Sequence, residues 1–411
     1  MRRVVVTGLG AITPIGNNVS QMWEAVKAGK CGIDHITLFD TTDRKVTLAG
    51  EVKNYVPEEI LDKREVRKMD RYVQFALIAA KEAMADAAMD LDAVDKDRCG
   101  VAVSSGIGGL GTIEAEDKKG MEKGYDRVSP HFIPMVISNM AAGNIAIAYG
   151  FHGMCTCPVT ACASATNAIG DAFRQIRDGY ADVMICGGSE ASITPLGIGG
   201  FTSLKALSQA KDPKRASIPF DKERSGFVMG EGAGILILEE YEHAVKRGAK
   251  IYCEVAGYGA NCDAHHITAP LEDGSMAAKC MQQALKDAKI LPENIDYINA
   301  HGTSTPLNDK GETKAVKLAF GDHANHVMMS STKSMTGHLL GASGAVEGII
   351  TALSVQNDFV PATIGYQVPD ENCDLDIVAN EGRNVTVNYA MSNSLGFGGH
   401  NAAVIFKKYI F

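Results

Sequence analysis

Short runs of β-branched and apolar residues alternate with longer segments of helical spacing, and that alternation restricts the chain to an α/β architecture. Residues 3–7, 100–104, 181–187 and 235–239 read as buried strands, with a helix over 19–28. A second series starts near residue 250, with strands at 251–257, 296–300, 327–331 and 402–406 and helical stretches such as 276–288 and 311–320 between them. This order predicts a mostly parallel sheet covered by helices. Because both series run in the same order, two similar βαβ-rich halves are expected, residues 1–249 and 250–411. The boundary falls where the helical pattern of 241–247 stops at Gly248. No repeat at the level of residue identity accompanies the matching order.

Composition narrows the function classes. With 40 Lys and Arg against 49 Asp and Glu, the net charge of the 411 residues is −9, which argues against the broad basic face that nucleic acid requires. Hydrophobic residues at 45% and charged residues at 22% are a globular mixture able to offset the entropy cost of folding. The 10 Cys lack the density of a disulfide scaffold and read as reduced thiols of a cytoplasmic protein. Cys155-Thr156-Cys157 is the nearest approach to a CxxC pair, and His265-His266 and His323…His326 have no nearby Cys, so no metal site is expected.

Arg2-Arg3 before Val4–Val6 imitates a secretory leader, yet Gly8, Gly10 and Pro14 break the apolar run early. Residues 128–170 carry no Asp, Glu, Lys or Arg, but Pro134, Asn139, Asn144, His152 and Pro158 disfavour a membrane span. Burial in the core or in a subunit interface is the expectation for this stretch.

Three residues stand where chemistry is expected. Cys162 follows the strand-like Pro158-Val-Thr-Ala and leads into a helix with Ile169, Phe173 and Ile176 on one face. The helix dipole and free N–H groups at such an N-terminus stabilise a thiolate, lowering a pKa of about 8.5 in a free peptide. His301 lies just past the strand 296–300, the sheet edge at which α/β proteins bind ligands. His338 sits between the strand 327–331 and a small-residue helix that carries Glu347. Each alone reads as an ordinary core or loop residue. Together, one Cys and two His at strand-to-helix junctions amid Gly and small residues form a constellation suited to thiolate chemistry.

The motifs around these residues resemble those of the β-ketoacyl-[acyl-carrier-protein] synthases, condensing enzymes of fatty-acid synthesis with the thiolase fold. The resemblance runs the length of the chain: Val5-Val-Thr-Gly-Leu-Gly, the segment around Cys162, Gly187-Gly-Ser-Glu, Pro219-Phe-Asp-Lys-Glu-Arg-Ser-Gly-Phe, His301-Gly-Thr-Ser-Thr, Lys333-Ser-Met-Thr-Gly-His and Asn393-Ser-Leu-Gly-Phe-Gly-Gly-His-Asn. Ser105-Gly-Ile-Gly-Gly-Leu and Phe132-Ile-Pro look like the loops of the synthase II branch. It implies a five-layer α-β-α-β-α sandwich, no metal or redox cofactor, a homodimer, and acyl- and malonyl-loaded acyl carrier protein as partner. It further implies that Cys162 accepts the acyl chain and that His301 and His338 stabilise the enolate formed as malonyl-carrier loses carbon dioxide. The N–H groups of Cys162 and Phe397 would form the oxyanion hole, with Lys333 and Glu347 as supporting charges. Ile107 and Phe201 would line the acyl pocket, and Thr303 and Thr305 would meet the pantetheine arm.

The basic run Lys63, Arg64, Arg67 and Lys68 would dock the acidic carrier, although most such runs are simply solvated helix faces. The segment 154–157 and Ala165 depart from the commoner family pattern, which implies altered packing near the nucleophile. Gly106-Ile-Gly-Gly-Leu-Gly satisfies GxGxxG, but the acidic residue at the expected distance, Asp126, has no strand before it, which argues against a dinucleotide site. Three other readings stay open: the ketosynthase of a type II polyketide pathway, a carrier-binding scaffold without activity, and a cysteine hydrolase.

Overall fold

The computed structural model describes residues 1–410. Ten strands form its main sheet: β1 (Val4–Ile12), β2 (Cys99–Ser104), β3 (Cys155–Thr156), β4 (Val183–Glu190), β5 (Gly232–Glu240), β6 (Cys253–Cys262), β7 (Tyr297–Asn299), β8 (Met328–Ser330), β9 (Tyr389–Gly396) and β10 (His400–Lys408). Their order is β8-β7-β9-β10-β6-β1-β5-β4-β2-β3. Read outward from the centre, β1-β5-β4-β2-β3 and β6-β10-β9-β7-β8 repeat the same sequence of antiparallel and parallel neighbours. The two runs meet only where Val4–Val6 pairs with Cys253–Val255.

The expectation of a mostly parallel sheet needs correction, because only the outer two pairings of each run are parallel. Parallel neighbours need a crossover helix, whereas β9 and β10 are joined by a tight turn and β4 and β5 by a long excursion, and both pairs are antiparallel. Neither β3 nor β9 belongs to the strands expected from the sequence.

Five helices complete the layers: α1 (Arg71–Asp86), α2 (Ser164–Arg177), α3 (Ser275–Ala288), α4 (Pro306–Phe320) and α5 (Ser343–Asn357). The period-two alternation of the strands assigns their faces. On β5, Ile235 and Ile237 pack with Tyr72, Phe75 and Ala79 of α1, while Leu236 and Leu238 join Ile169 and Phe173 of α2 and Val346 and Ile349 of α5. On β10, Val404 and Phe406 face that same central core, whereas Ala403 and Ile405 face Ala284 of α3 and Val316 of α4. The result is helix, sheet, helix, sheet, helix, the five-layer arrangement that the resemblance implies. Helix α5 is buried on nearly every side, as an element carrying Ala345, Val346, Ile349, Ile350 and Leu353 around its circumference must be.

This architecture positions the chemistry. The N-terminus of α2 and the ends of β7 and β9 meet at one edge of the central layer, and the junction before α5 closes over them. Among the described residues no helix is long and apolar enough to cross a membrane.

Candidate active site

Cys162 occupies a single 3₁₀ turn, Ala161–Ala163, that runs straight into α2. Ala161 holds a left-handed φ of 50°, an uncommon conformation for a residue with a Cβ. Ser164 clamps the turn, its hydroxyl donating to the Ala161 carbonyl at 2.6 Å and accepting from the Thr160 N–H at 2.9 Å. The Phe397 N–H, from the turn between β9 and β10, donates to the Cys162 sulfur. A cavity of about 400 Å³ opens over the thiol, lined among others by Phe201, His301, Thr303, Thr305, His338 and Phe397.

The two imidazoles reach this cavity from different elements. His301 follows β7, and its N–H and that of Gly302 both donate to the buried Glu312 carboxylate of α4 at 2.8 Å. His338 follows a short turn, Lys333–Thr336, and is held by its own backbone, which bonds to Val228 at 2.7 Å and Gly230 at 2.8 Å. Its Nδ1 pairs with Ser343 Oγ at 2.9 Å, which leaves Nε2 as the nitrogen free to meet a ligand. The rings lie edge to face, centroids 5.3 Å apart, with Phe227 packed 5.2 Å from His338.

Behind this wall Lys333 Nζ donates to Glu347 in a fully buried ion pair. Burial first, then the Lys333 ammonium, holds the pKa of both imidazoles well below the ordinary histidine value, and each ring lacks a carboxylate that would draw a proton. His301 is pushed further down by its neighbour His338. Two neutral N–H donors thus face one cavity. Burial lifts Glu347 to about 7 against the pull of Lys333, and Glu312 to about 7 against its two N–H donors.

The thiol departs from expectation. Burial pushes Cys162 up to about 12 despite the opposing Lys333 charge and the Phe397 N–H. A helix N-terminus is worth at most about 2 kcal/mol, roughly 1.5 pKa units, so it cannot offset the loss of water around a thiolate. The cavity leaves part of Cys162 accessible, and protein encloses the rest. The resting sulfur is a thiol.

Other expected residues divide. Lys333 and Glu347 do not touch the cavity and act on it through charge. Ile107 also stays off its wall, half-buried against an apolar cluster that holds Leu340 and Phe227 and borders the cavity at Phe201. Lys63, Arg64, Arg67 and Lys68 are all exposed around the short helix Lys63–Val66, and Lys68 pairs with Glu65 at 2.7 Å. Sequence reasoning missed Glu312, Ser343 and Phe227, because no motif announces a carboxylate whose role is to hold two backbone N–H groups. The GxGxxG segment does connect a strand to a helix, but the Gly106 and Ile107 N–H groups already donate to Glu190, and the Thr112 N–H donates to Asp70. The donors a phosphate would need are therefore occupied. Among the described residues no group of three or more His, Cys, Asp or Glu is placed to hold a metal ion.

Comparison with known proteins adds to this geometry. The Beta-ketoacyl synthase N-terminal domain family matches residues 1–244 and its C-terminal counterpart matches residues 252–367. A 3-oxoacyl-[acyl-carrier-protein] synthase 2 of Synechocystis is 53% identical over 409 residues, covering 99% of this chain and 98% of that one. One from Staphylococcus aureus is 52% identical over 408 residues, with 99% of each chain covered. Among solved structures, a type II polyketide ketosynthase in complex with its acyl-carrier protein superposes with a TM-score of 0.92 at 38% identity, and a β-ketoacyl synthase from Burkholderia phymatum with 0.92 at 34%; both cover 100% of each chain.

A thiol lifted this far titrates outside the neutral range. Alkylation of Cys162 by iodoacetamide, followed by mass spectrometry of its peptide, is expected to accelerate about tenfold per pH unit from roughly pH 7 to 9 without a plateau. Lys333→Ala removes a charge that favours the thiolate and slows the reaction at every pH. A plateau in that range, or faster alkylation of Lys333→Ala, contradicts the assignment.

Proposed function

The chain belongs to the β-ketoacyl synthase family, and from that premise we propose that Cys162, His301 and His338 together extend an acyl chain by two carbons through decarboxylative condensation with malonyl-acyl-carrier-protein. The observation that carries this reading is the shared cavity: one thiol, the N–H donor at its sulfur, and two imidazoles kept neutral by burial and by Lys333.

In the first half-reaction the Cys162 sulfur attacks the thioester carbonyl of acyl-carrier. The new C–S bond replaces the carrier's, and the proton that Cys162 gives up ends on the departing pantetheine sulfur; the Lys333 charge and the Phe397 N–H offset part of the cost of ionising a thiol lifted this far. In the second, the bond between malonyl carboxylate and methylene carbon breaks, carbon dioxide departs, and its electron pair spreads onto the thioester oxygen. Neutral imidazole N–H groups from His301 and His338 meet that charge; preorganised donors in a dry site are worth a few kcal/mol there. The carbanion carbon then attacks the acyl-Cys162 carbonyl, whose oxygen is received by the N–H groups of Cys162 and Phe397. Collapse expels Cys162, which takes a proton from solvent readily because its pKa is high. Thr303 and Thr305, on the cavity wall, suit the amides of the pantetheine arm. In this reading residues 1–249 supply the nucleophile and residues 250–411 both imidazoles.

The 53% identity to a synthase 2, against 38% to a polyketide ketosynthase, favours fatty-acid elongation over the polyketide alternative. The basic run at 63–68 would steer the acidic carrier. The uncharged stretch 128–170 leaves Ile133, Ile137, Ile147 and Val159 exposed beside the sheet-edge strand β3, a surface suited to a second copy of the chain. The ten cysteines are all unbonded, which suits the reducing cytoplasm.

Incubation with saturated acyl-carriers is expected to add the acyl mass to Cys162 and, on adding malonyl-carrier, to release the chain longer by two carbons. Cys162→Ala abolishes both, and Lys63→Glu with Arg67→Glu raises KM for carrier while kcat holds. Hydrolysis without malonyl consumption, or no acylation at all, would overturn the reading. Analytical ultracentrifugation should find twice the 43.7 kDa chain mass, and a monomer at micromolar concentration would refute the dimer.

A further inference from the structure

The two oxyanion donors in the steps above come from separate segments, and one residue stands between them. Thr160 precedes the left-handed Ala161, and its N–H donates to Ser164 Oγ at 2.9 Å. Its carbonyl oxygen faces Gly396: a Cβ there would lie 2.6 Å from that oxygen and 3.1 Å from the Cys162 nitrogen, so the approach needs glycine. Gly396 leads directly into Phe397, which carries the second donor. The placement of Thr160 therefore sets the spacing of the two N–H groups.

A chain of polar side chains running into the core holds Thr160. Asn167, in the first turn of α2, donates from Nδ2 to Thr160 Oγ1 at 2.6 Å. Its Oδ1 accepts from the Tyr258 hydroxyl of β6 at 2.5 Å. The Tyr258 ring lies against α2 at Gly170, where a Cβ would meet it at 2.3 Å, and the Arg174 guanidinium stands 4.5 Å from its centroid. Burial pushes the Tyr258 phenol up, which keeps it protonated and able to donate. Asn167 and Tyr258 are both buried, and an Asn there costs helix propensity and dehydration, while neither of its bonds serves α2 itself. A residue with a Cβ stays at a φ of 50° only where its surroundings impose it. Ser164 restrains Ala161 from within α2, and the Tyr258–Asn167–Thr160 chain restrains the residue before it from the other half of the molecule.

We propose that Asn167 is a positioning residue: anchored by Tyr258, it holds Thr160 so that the N–H groups of Cys162 and Phe397 converge on one thioester oxygen. This deepens the condensation reading above and rests on it. None of the three residues lines the reaction cavity, so the chain acts on the geometry of the donors alone. Its effect falls on steps that build charge on a carbonyl oxygen and spares reactions of the same sulfur that build none.

Two reactions of Cys162 separate these effects. Acylation from hexanoyl-carrier, read by intact mass, passes through a tetrahedral oxyanion, whereas alkylation by iodoacetamide displaces iodide and forms none. Tyr258→Phe and Thr160→Val each remove one hydroxyl at nearly constant shape. For each, the maximal acylation rate is expected to fall about three- to tenfold with the half-saturating carrier concentration held within about twofold, since small misplacements of a donor are that costly. Alkylation at about pH 8 should stay within about twofold of the parent. The double variant should lose less than the product of the two single losses, because either break already frees Asn167. Asn167→Ala should show the same split at least as strongly, and the two hydroxyl variants carry the test if it does not fold. Alkylation that slows in step with acylation would make the chain a mere support of the sulfur and overturn the proposal. Unchanged acylation, a loss confined to half-saturation, or losses that multiply would overturn it as well. Parent enzyme that fails to acylate Cys162 would instead refute the condensation reading beneath it.

Discussion

Loss of water at the reaction cavity sets the protonation of the groups around it, and a single ammonium group sealed behind them reinforces that effect at both imidazoles and opposes it at the thiol. Lys333 and Glu347 have side chains 1% and 3% exposed, in a layer where each charge has given up its water. Such a pair is poor value as a stabilising device, since the cost of dehydration matches or exceeds the attraction. Its effect is felt at the cavity. The positive end lies towards His301, His338 and Cys162, opposing a proton on either ring and favouring charge on the sulfur. The negative end returns the pair to neutrality, so the field is local.

The fold supplies the dry surroundings this arrangement needs. Helix α5, buried on nearly every side, carries Glu347, and the central core that encloses it is assembled from both halves of the sheet. Neither half alone would bury the ion pair or bring the α2 terminus against the turns that hold the imidazoles. Dryness has two opposite consequences: it keeps the rings neutral, which suits hydrogen-bond donors to a developing enolate, and it raises the thiol, which favours reprotonation of the sulfur but opposes its departure, a cost that the Lys333 charge and the Phe397 N–H reduce.

Much of this was readable in the chain and some of it was not. Cys162 before an amphipathic helix, His301 after a strand, and the Lys333-to-His338 segment are local patterns, and local patterns survive folding. The mixed strand order was hidden because β9 and β10 join through a short turn and residues 191–231 make a long excursion, neither of which leaves a crossover signature. The direction of the Cys162 shift was misjudged because the dipole of its own helix is visible in sequence, whereas the protein that dehydrates it comes from distant segments. Glu312 went unseen for the same reason: its partners are backbone N–H groups outside its own helix. Ile107, expected on the pocket wall, is half-buried against an apolar cluster beside the cavity, a matter of packing that composition does not report.

The central claim is that burial and the Lys333 charge keep both imidazoles unprotonated in the working pH range. Carbon and nitrogen NMR of labelled His301 and His338, assigned through His301→Ala and His338→Ala, measures this directly. Both rings should remain in the neutral tautomeric range while pH falls through about 6.5, the midpoint of a free imidazole. A ring that takes up its proton at or above that midpoint would contradict the account.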